Sequence, residues 1–563
     1  MRHDPSPDRS VAIVGAGPGG LATAVLLAAR GVSVTVYEAQ PRIGGRTRRL
    51  SAESEAGTFH FDMGPTFFLM PYVLREIFAA AGRDLDDYVQ LQRLDPMYRL
   101  VVGQPDGPDV TLDATQDLAE MQRRVGAIHG PDGDAFARFI ADNRKKLHTA
   151  EPILRRPIRS PLDLLRLDAL KALPHIQPTR SVQDLNDRYF DHPAVQLAVG
   201  FQSKYLGMSP YECPSLFTIL PFIEYEYGIW HPRGGCNALM DALARLLQEL
   251  GGDIHTATPV ESLTFEGRRV TGVTLGGRGE GRAAAHDHVV INADATWAIK
   301  RFFPEHLRGR HTDQQIDDRR YSCSTYMLYL GVEGAVDLPH HTIRMSPQYQ
   351  QNLEDISRGN GRGGTLTQDP SFYVHNPSPL DPSLAPPGYS SLYLLLPTPN
   401  ARAPIDWEAR APQVREHLLE RVHAVLGVDL RPRIRAEIQV RPDQWSAMNI
   451  NHGATFNLAH NLGQMLHRRP QHRVPYADGA WMVGGGTHPG SGLPVIFLSA
   501  QITANLLMQE LGGGPAIDPA PPLARAGSGP FATPDARTPL NPASSAASSS
   551  DPDDARQPAT ANI

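Results

Sequence analysis

Two groups of residues in this chain have the types and spacing for chemistry on a phosphate-bearing ligand. Gly15, Gly17 and Gly20 form G-x-G-x-x-G, and Glu38 follows 18 residues after Gly20. In such a motif the first glycine permits a tight turn, the second lets a pyrophosphate touch the backbone, and the third lets helix and strand pack closely. A carboxylate at the position of Glu38 accepts hydrogen bonds from a ribose. The second group is Arg42-x-Gly44-Gly45-Arg46. A glycine pair between two arginines lets the backbone pass under a phosphate while a guanidinium pairs with it.

The elements that must hold these groups are legible around them. The apolar run at 11–14 reads as a buried strand, 18–30 as an Ala- and Leu-rich helix closed by Gly31, and 32–37 as a second strand. The helix start turns its free N–H groups and positive dipole end toward the phosphates. Strand, glycines, helix, strand and acid in register predict a dinucleotide site rather than a plain glycine turn.

Farther along, 55–66 reads as a strand-rich return ending in Gly64-Pro65-Thr66, a turn that brings backbone close to something. From 67 to 229 helical periodicity dominates and predicts a largely helical insertion. The chain then returns through Arg233-Gly234-Gly235 into a helix over 236–250. Short strands are expected at 254–260, 262–265, 270–275 and 288–292. A second insertion spans about 300–474, with strand-like 325–332 and 389–396 expected to floor a pocket. The last block, Gly484-Gly485-Gly486-Thr487-His488-Pro489-Gly490-Ser491-Gly492-Leu493-Pro494, is a glycine loop opening a helix.

Bulk properties exclude several classes. Lys plus Arg total 54 against 60 Asp plus Glu, and the net charge of −6 gives no general drive toward nucleic acid. Cys213, Cys236 and Cys323 form no C-x-x-C and read as ordinary buried thiols of a reducing cytosol. The first ten residues are polar and do not read as a signal peptide. No apolar run reaches about 18 residues, so no spanning helix is expected. Residues 512–563 contain ten prolines after Gly514 and Phe531 as the only aromatic, a composition expected to stay disordered.

One stretch departs from the mild acidity. Residues 144–180 hold Arg144, Lys145, Lys146, Arg155, Arg156, Arg159, Arg166, Lys171 and Arg180 against Glu151, Asp163 and Asp168, interleaved with Leu and Ile. Such a stretch reads either as a solvated helix face or as a docking surface for a membrane.

With these pieces in order, residues 8–511 resemble the carotenoid (phytoene and diapophytoene) desaturases of the amine oxidase-like flavoprotein superfamily. The resemblance rests on Gly15 to Gly20, Arg42 to Arg46, Phe61 to Thr66, Arg233 to Gly235, Leu338-Pro339-His340-His341-Thr342, and the block from Gly484 to Pro494. Gly485 stands where the family has alanine, a change that reads as sterically trivial. The resemblance implies an α/β protein with α+β insertions. A Rossmann-like FAD-binding domain would comprise 8–95, 230–300 and 475–511, and a substrate-binding, membrane-associating domain of mixed sheet and helices 96–229 and 301–474. It carries FAD contacts onto Gly15, Gly17, Gly19, Gly20, Glu38, Ala39, Arg42, Gly44, Gly45, Arg46, Gly64, Pro65, Thr66, Val260, Gly485, Gly486, Gly492, Leu493 and Pro494.

The implied reaction is FAD-dependent desaturation of a long acyclic C30 or C40 carotenoid precursor by hydride transfer to flavin N5. Isomerase, oxidase and ketolase chemistry on the same fold, and a flavin-free isoprenoid carrier, remain alternatives. Glu224 and Glu226 are the carboxylates weighed as proton acceptor, against a reading as solvated loop residues. His340, His341 and His488 lack metal-ligand spacing and are not expected to bind zinc. No second nucleotide motif accompanies the first, so oxygen or a membrane quinone is the expected electron acceptor. The expected location is cytoplasmic, peripheral to the inner face of the cell membrane.

Overall fold

The computed structural model describes residues 10–309 and 311–517. Most of the tail expected to be disordered lies outside them.

A five-stranded parallel sheet runs in the order Ala480–Met482, His288–Ile291, Ser10–Val14, Ser33–Tyr37 and Asp253–His255. Val11, Ala12, Ile13 and Val36 are completely buried, as both faces of a covered parallel sheet require. The helix Pro18–Ala28 packs on Leu493–Glu510 and on Asn237–Glu249. Every residue from Gly19 to Ala28 is buried, which explains why this helix shows no polar face. Gly251, at φ +85°, follows the end of Asn237–Glu249.

A seven-stranded mixed sheet runs Ile434–Val440, Ser324–Glu333, Tyr389–Thr398, Phe372–His375, His341–Met345, Tyr98–Val102 and Val110–Ala114. Its centre is a ten-residue antiparallel pairing from Ser324↔Thr398 to Glu333↔Tyr389. Period-two alternation divides this pair between two cores. Tyr326, Leu328, Leu330, Leu392 and Leu394 face the helix Trp407–Leu426. Met327, Tyr329 and Tyr393 face Phe59, Phe61 and Met63 on the hairpin Arg49–Ser54/Gly57–Asp62.

Three expectations are refined. The segment 67–229 is largely helical but not throughout: Tyr98–Val102 and Val110–Ala114 extend the large sheet, and Leu91–Arg93 pairs with Trp230–Pro232. Short apolar runs such as Tyr98-Arg99-Leu100-Val101-Val102 fit either period, and only pairing with His341–Met345 settles them as strand. The strand expected over 254–260 breaks at Ala257, whose φ is +50°. There Ala257 N donates to Gln40 O and Thr258 N to Glu38 O, so the chain leaves the sheet to tie down the acid-bearing strand end. The basic stretch is also not one continuous helix. It covers the end of Gly130–Leu154, a short helical turn Pro161–Leu165, and Leu167–Ile176.

Cys213, Cys236 and Cys323 are free and buried. Among the described residues no helix is long and apolar enough to cross a membrane.

Candidate functional site

The glycine loop is held by tight backbone approaches. Gly15 adopts φ +99°, and a Cβ on Gly20 would lie 2.2 Å from the Gly15 carbonyl oxygen. Beneath the loop Asn292 donates through Nδ2 to Gly15 O at 3.2 Å, and a Cβ on Gly17 would meet that same nitrogen at 2.9 Å. One Glu38 oxygen accepts from Ala16 N at 2.8 Å and the other from Gln40 N at 2.9 Å. Burial raises the Glu38 pKa against these bonds and the nearby Arg48. Ala39 and Arg42 are exposed beside it, and Val260 shares the buried cluster of Tyr37.

The two-arginine segment folds back onto this loop. Gly44 N donates to Ala16 O at 2.8 Å, and a Cβ on Gly45 would stand 3.4 Å from Gly17 Cα. The Arg46 guanidinium reaches Thr455 O at 2.7 Å and Asn457 Oδ1 at 3.2 Å. Burial lowers the Arg46 pKa, opposed by Asp294. A Cβ on Gly64 would press 2.7 Å from Arg46 O, so the Gly64-Pro65-Thr66 turn abuts the arginine segment.

Residues far away in sequence clamp that turn. Tyr393 donates to Gly64 O at 2.9 Å, Tyr329 donates to Met63 O, and the Thr66 hydroxyl lies 2.9 Å from the Tyr373 hydroxyl. The three tyrosines come from adjacent strands of the large sheet, a convergence invisible in sequence. Asp62 caps the start of the helix Asn237–Glu249 by accepting from Cys236 N and Asn237 N at 2.9 and 3.1 Å, while burial pushes its pKa up to about 6.

Beyond Thr66, the ring of Phe67 stacks on His341 with centroids 4.1 Å apart and lies 5.3 Å from Tyr205. Glu224 lies in the same aromatic neighbourhood. It is completely buried and accepts from Tyr98 Oη and Gln202 Nε2, both at 3.0 Å, through one oxygen. Its other oxygen, Oε1, is buried without a partner. Burial drives the Glu224 pKa up to about 7, against the hydrogen bonds from Gln202 and Tyr98 and the influence of the nearby Tyr205 hydroxyl. Glu226 is exposed and bridges Arg144 at 2.7 Å. The loop reading of this pair is overturned: both lie on the helix Ile219–Tyr227, where residues two apart face different directions.

The C-terminal glycine block is supported by Arg469, a residue the motif reading missed. Only 1% exposed, it donates to Gly485 O at 2.8 Å, Thr487 O at 3.1 Å and Leu458 O at 3.3 Å. An alanine at 485 is not sterically trivial, because its Cβ would meet Asn457 Nδ2 at 2.9 Å. Gly486 packs against Ala295, while Gly492 at φ +106° introduces Leu493 and Pro494 at the start of the last helix.

The basic stretch divides sharply by exposure. Arg155 bridges Glu76 at 2.9 Å and Glu151 at 2.8 Å, and Lys146 is buried against Ser215 O and Thr218 Oγ1. Neither is a surface charge, contrary to the sequence reading of one basic face. Leu162, Leu165 and Leu167 are instead 72%, 64% and 77% exposed, with Arg159, Arg166 and Lys171 exposed among them.

Residues 18–508 match the family model of flavin containing amine oxidoreductases. The chain is 42% identical over 504 residues to a 4,4'-diapophytoene desaturase (4,4'-diapolycopene-forming) of Methylomonas sp, covering 89% of this chain and 96% of the relative. It is 37% identical over 514 residues to an all-trans-zeta-carotene desaturase of Myxococcus xanthus, covering 90% and 94%. A phytoene desaturase (lycopene-forming) of Pseudescherichia vulneris is 32% identical over 509 residues, covering 89% and 100%. Among solved structures, an oxidoreductase from Methanosarcina mazei superposes with a TM-score of 0.60 at 18% identity, covering 89% of this chain and all of the other. A putrescine oxidase gives 0.56 at 15% identity, covering 90% and 100%. These two likenesses speak to the fold.

Proposed function

The chain belongs to the carotenoid desaturase family of flavin-containing amine oxidoreductases, and from that membership we propose that it desaturates a long acyclic C30 or C40 carotenoid precursor. It is an FAD-dependent oxidoreductase acting on CH–CH groups. When bound, FAD supplies the hydride acceptor of such a reaction.

The residues fit this cofactor. Gly15, Gly17 and Gly20 leave a backbone surface bare of side chains, Gly45 lies against Gly17, and Glu38 stands at the adjoining strand end. In our reading the turn Gly64-Pro65-Thr66 and the start of the last helix hold the ring, Arg42 and Arg46 attend the phosphates, and Glu38, Ala39 and Val260 attend the adenosine. The discontinuous cofactor and substrate domains then correspond to the parallel and mixed sheets.

The observation that carries the mechanism is Glu224. Removal of two hydrogens from adjacent saturated carbons requires a group to accept a proton, and Oε1 of Glu224 has no other partner. A carboxylate with a pKa near 7 is ionised in about half of the molecules at neutral pH, and basic enough to accept. Phe67, Tyr98, Tyr205 and Tyr373 supply aromatic walls that exclude water and suit a polyene. Glu226, paired with Arg144 at the surface, takes no part.

We assign the exposed leucines at 162, 165 and 167, with Arg159, Arg166 and Lys171, to docking on an anionic membrane. A hydrocarbon of thirty or more carbons loses about 0.8 kcal/mol per CH₂-sized group on entering water, so it must be drawn directly from the bilayer. This puts the working enzyme peripherally on the cytoplasmic face, with oxygen or a membrane quinone reoxidising the flavin. Expression in cells that accumulate phytoene or diapophytoene, followed by pigment analysis, tests the assignment. New conjugated products are expected, whereas conversion only of double-bond geometry, or only of terminal methyl groups, would replace desaturation by isomerase or oxidase chemistry.

A further inference from the structure

His231, His340 and His375 come from three separate segments, yet their candidate ligand nitrogens all lie within 4.8 Å of one another. His231 is on the short strand Trp230–Pro232, His340 precedes the strand His341–Met345, and His375 ends Phe372–His375. His340 Nε2 and His375 Nε2 face each other at 3.1 Å. The ring centroids of His231 and His340 are 4.8 Å apart, as are those of His340 and His375.

We propose that these three histidines bind one divalent transition-metal ion of the zinc class, which staples the ribbon of Trp230–Pro232 to the seven-stranded sheet. The inference is independent of the desaturation reading.

The local hydrogen bonding favours it. Of the facing His340 and His375 nitrogens only one can hold a proton, and His340 Nδ1 is buried without a partner. With both Nε2 atoms unprotonated, their lone pairs face each other at 3.1 Å. A cation is what satisfies facing lone pairs. A tetrahedral zinc with Zn–N of about 2.0–2.1 Å spaces its nitrogens by about 3.3–3.4 Å, so the His340–His375 pair is already near that edge. Closing the third imidazole needs about 1.5 Å of side-chain movement at most.

The surroundings supply what a metal site needs beyond its ligands. Asp381 Oδ2 lies 3.1 Å from His231 Nε2 and is itself fixed by Gly234 N and Ser383. A carboxylate behind a histidine orients the ring and raises its basicity as a ligand. Asp381 thereby brings a carboxylate to the cluster, which offsets part of a dication's charge. His231 and His375 are buried while His340 is only half-buried, which leaves a route for the ion. Imidazole donors without a carboxylate ligand select zinc-class ions over magnesium or calcium.

The test uses the FAD-loaded full chain, stripped with a chelator and then titrated with Zn²⁺ or Co²⁺ alone. One equivalent of tightly held metal, a tetrahedral Co²⁺ absorption and a zinc-dependent rise in Tm are expected, with flavin absorbance unchanged. His340→Gln and His375→Ala should each weaken binding at least tenfold, and Asp381→Asn by 10- to 100-fold. Binding must be indifferent to Asp191→Asn, which alters a second, more exposed cluster of His129, Asp132 and Asp191. Failure of the unmodified holoenzyme to retain metal or shift in Tm overturns the proposal without recourse to any variant. So does binding that survives His340→Gln but is lost with Asp191→Asn.

Discussion

The Nε2–H of His488 donates to the carbonyl oxygen of Arg156 at 3.0 Å and to that of Ile153 at 3.3 Å. His488 belongs to the C-terminal glycine block, and Arg156 leads into the exposed leucines. The segment proposed to touch the membrane is therefore pinned to the loop proposed to hold the flavin. Burial lowers the His488 pKa to about 4, so the ring is neutral and the bond persists throughout the physiological range.

His488→Leu keeps the bulk of the side chain but leaves two carbonyls without their buried donor, a loss of about 1–3 kcal/mol. The expected result is faster tryptic cleavage after Arg159 and slower turnover of liposome-held substrate. Unchanged cleavage would mean that the pin does not restrain the segment.

Exposed leucines and buried arginine should behave oppositely. Replacing Leu162, Leu165 and Leu167 together with Asp should release the protein from anionic liposomes while Tm and flavin content hold. Arg155→Glu, which breaks a partly buried pair with Glu76 and Glu151, should cost up to about 3–5 kcal/mol of stability. Flotation with liposomes and thermal denaturation separate the two effects, and a leucine triple variant that still floats would defeat the docking assignment.

Glu224 accepts a proton only when ionised. With its pKa raised to about 7, kcat should fall as pH drops below that value and level off above about pH 8. Glu224→Gln should reduce kcat by about 10²- to 10⁴-fold and abolish this pH dependence, with FAD retained. Glu226→Gln should change neither. A Glu224→Gln enzyme at full rate would dismiss this residue as the acceptor.

At the glycine loop, Gly17→Val puts a branched side chain against Asn292 Nδ2, where the unsubstituted Cβ position is already 2.9 Å away, and beside the Gly45 backbone. Glu38→Ala removes the acceptor of Ala16 N. Both proteins should purify with most flavin absorbance missing. Retention of full absorbance by Gly17→Val would relocate the cofactor.

What the sequence determined by itself is the part encoded by short-range backbone demands. Gly15 at positive φ, Gly20 against the Gly15 carbonyl, the strand that follows and Glu38 at its end are set by neighbours within about thirty residues, so their spacing was readable, whereas Gly17 is closed in by the distant Asn292. The same holds for the positive φ of Gly492 just before Leu493 and Pro494. Tertiary structure alone decided which side chains meet. Glu224 and Glu226 look equivalent in sequence, but helix geometry buries one and pairs the other with Arg144. Arg155 and Arg159 both read as basic, yet packing against Glu76 removes the first from the surface. His231, His340 and His375 carry no spacing signal because sheet pairing brings together His340 and His375, 35 residues apart, and chain reversal returns them to His231 from more than a hundred residues away. The tyrosines that grip the turn at Gly64 likewise depend on the register of distant strands, which no local period records.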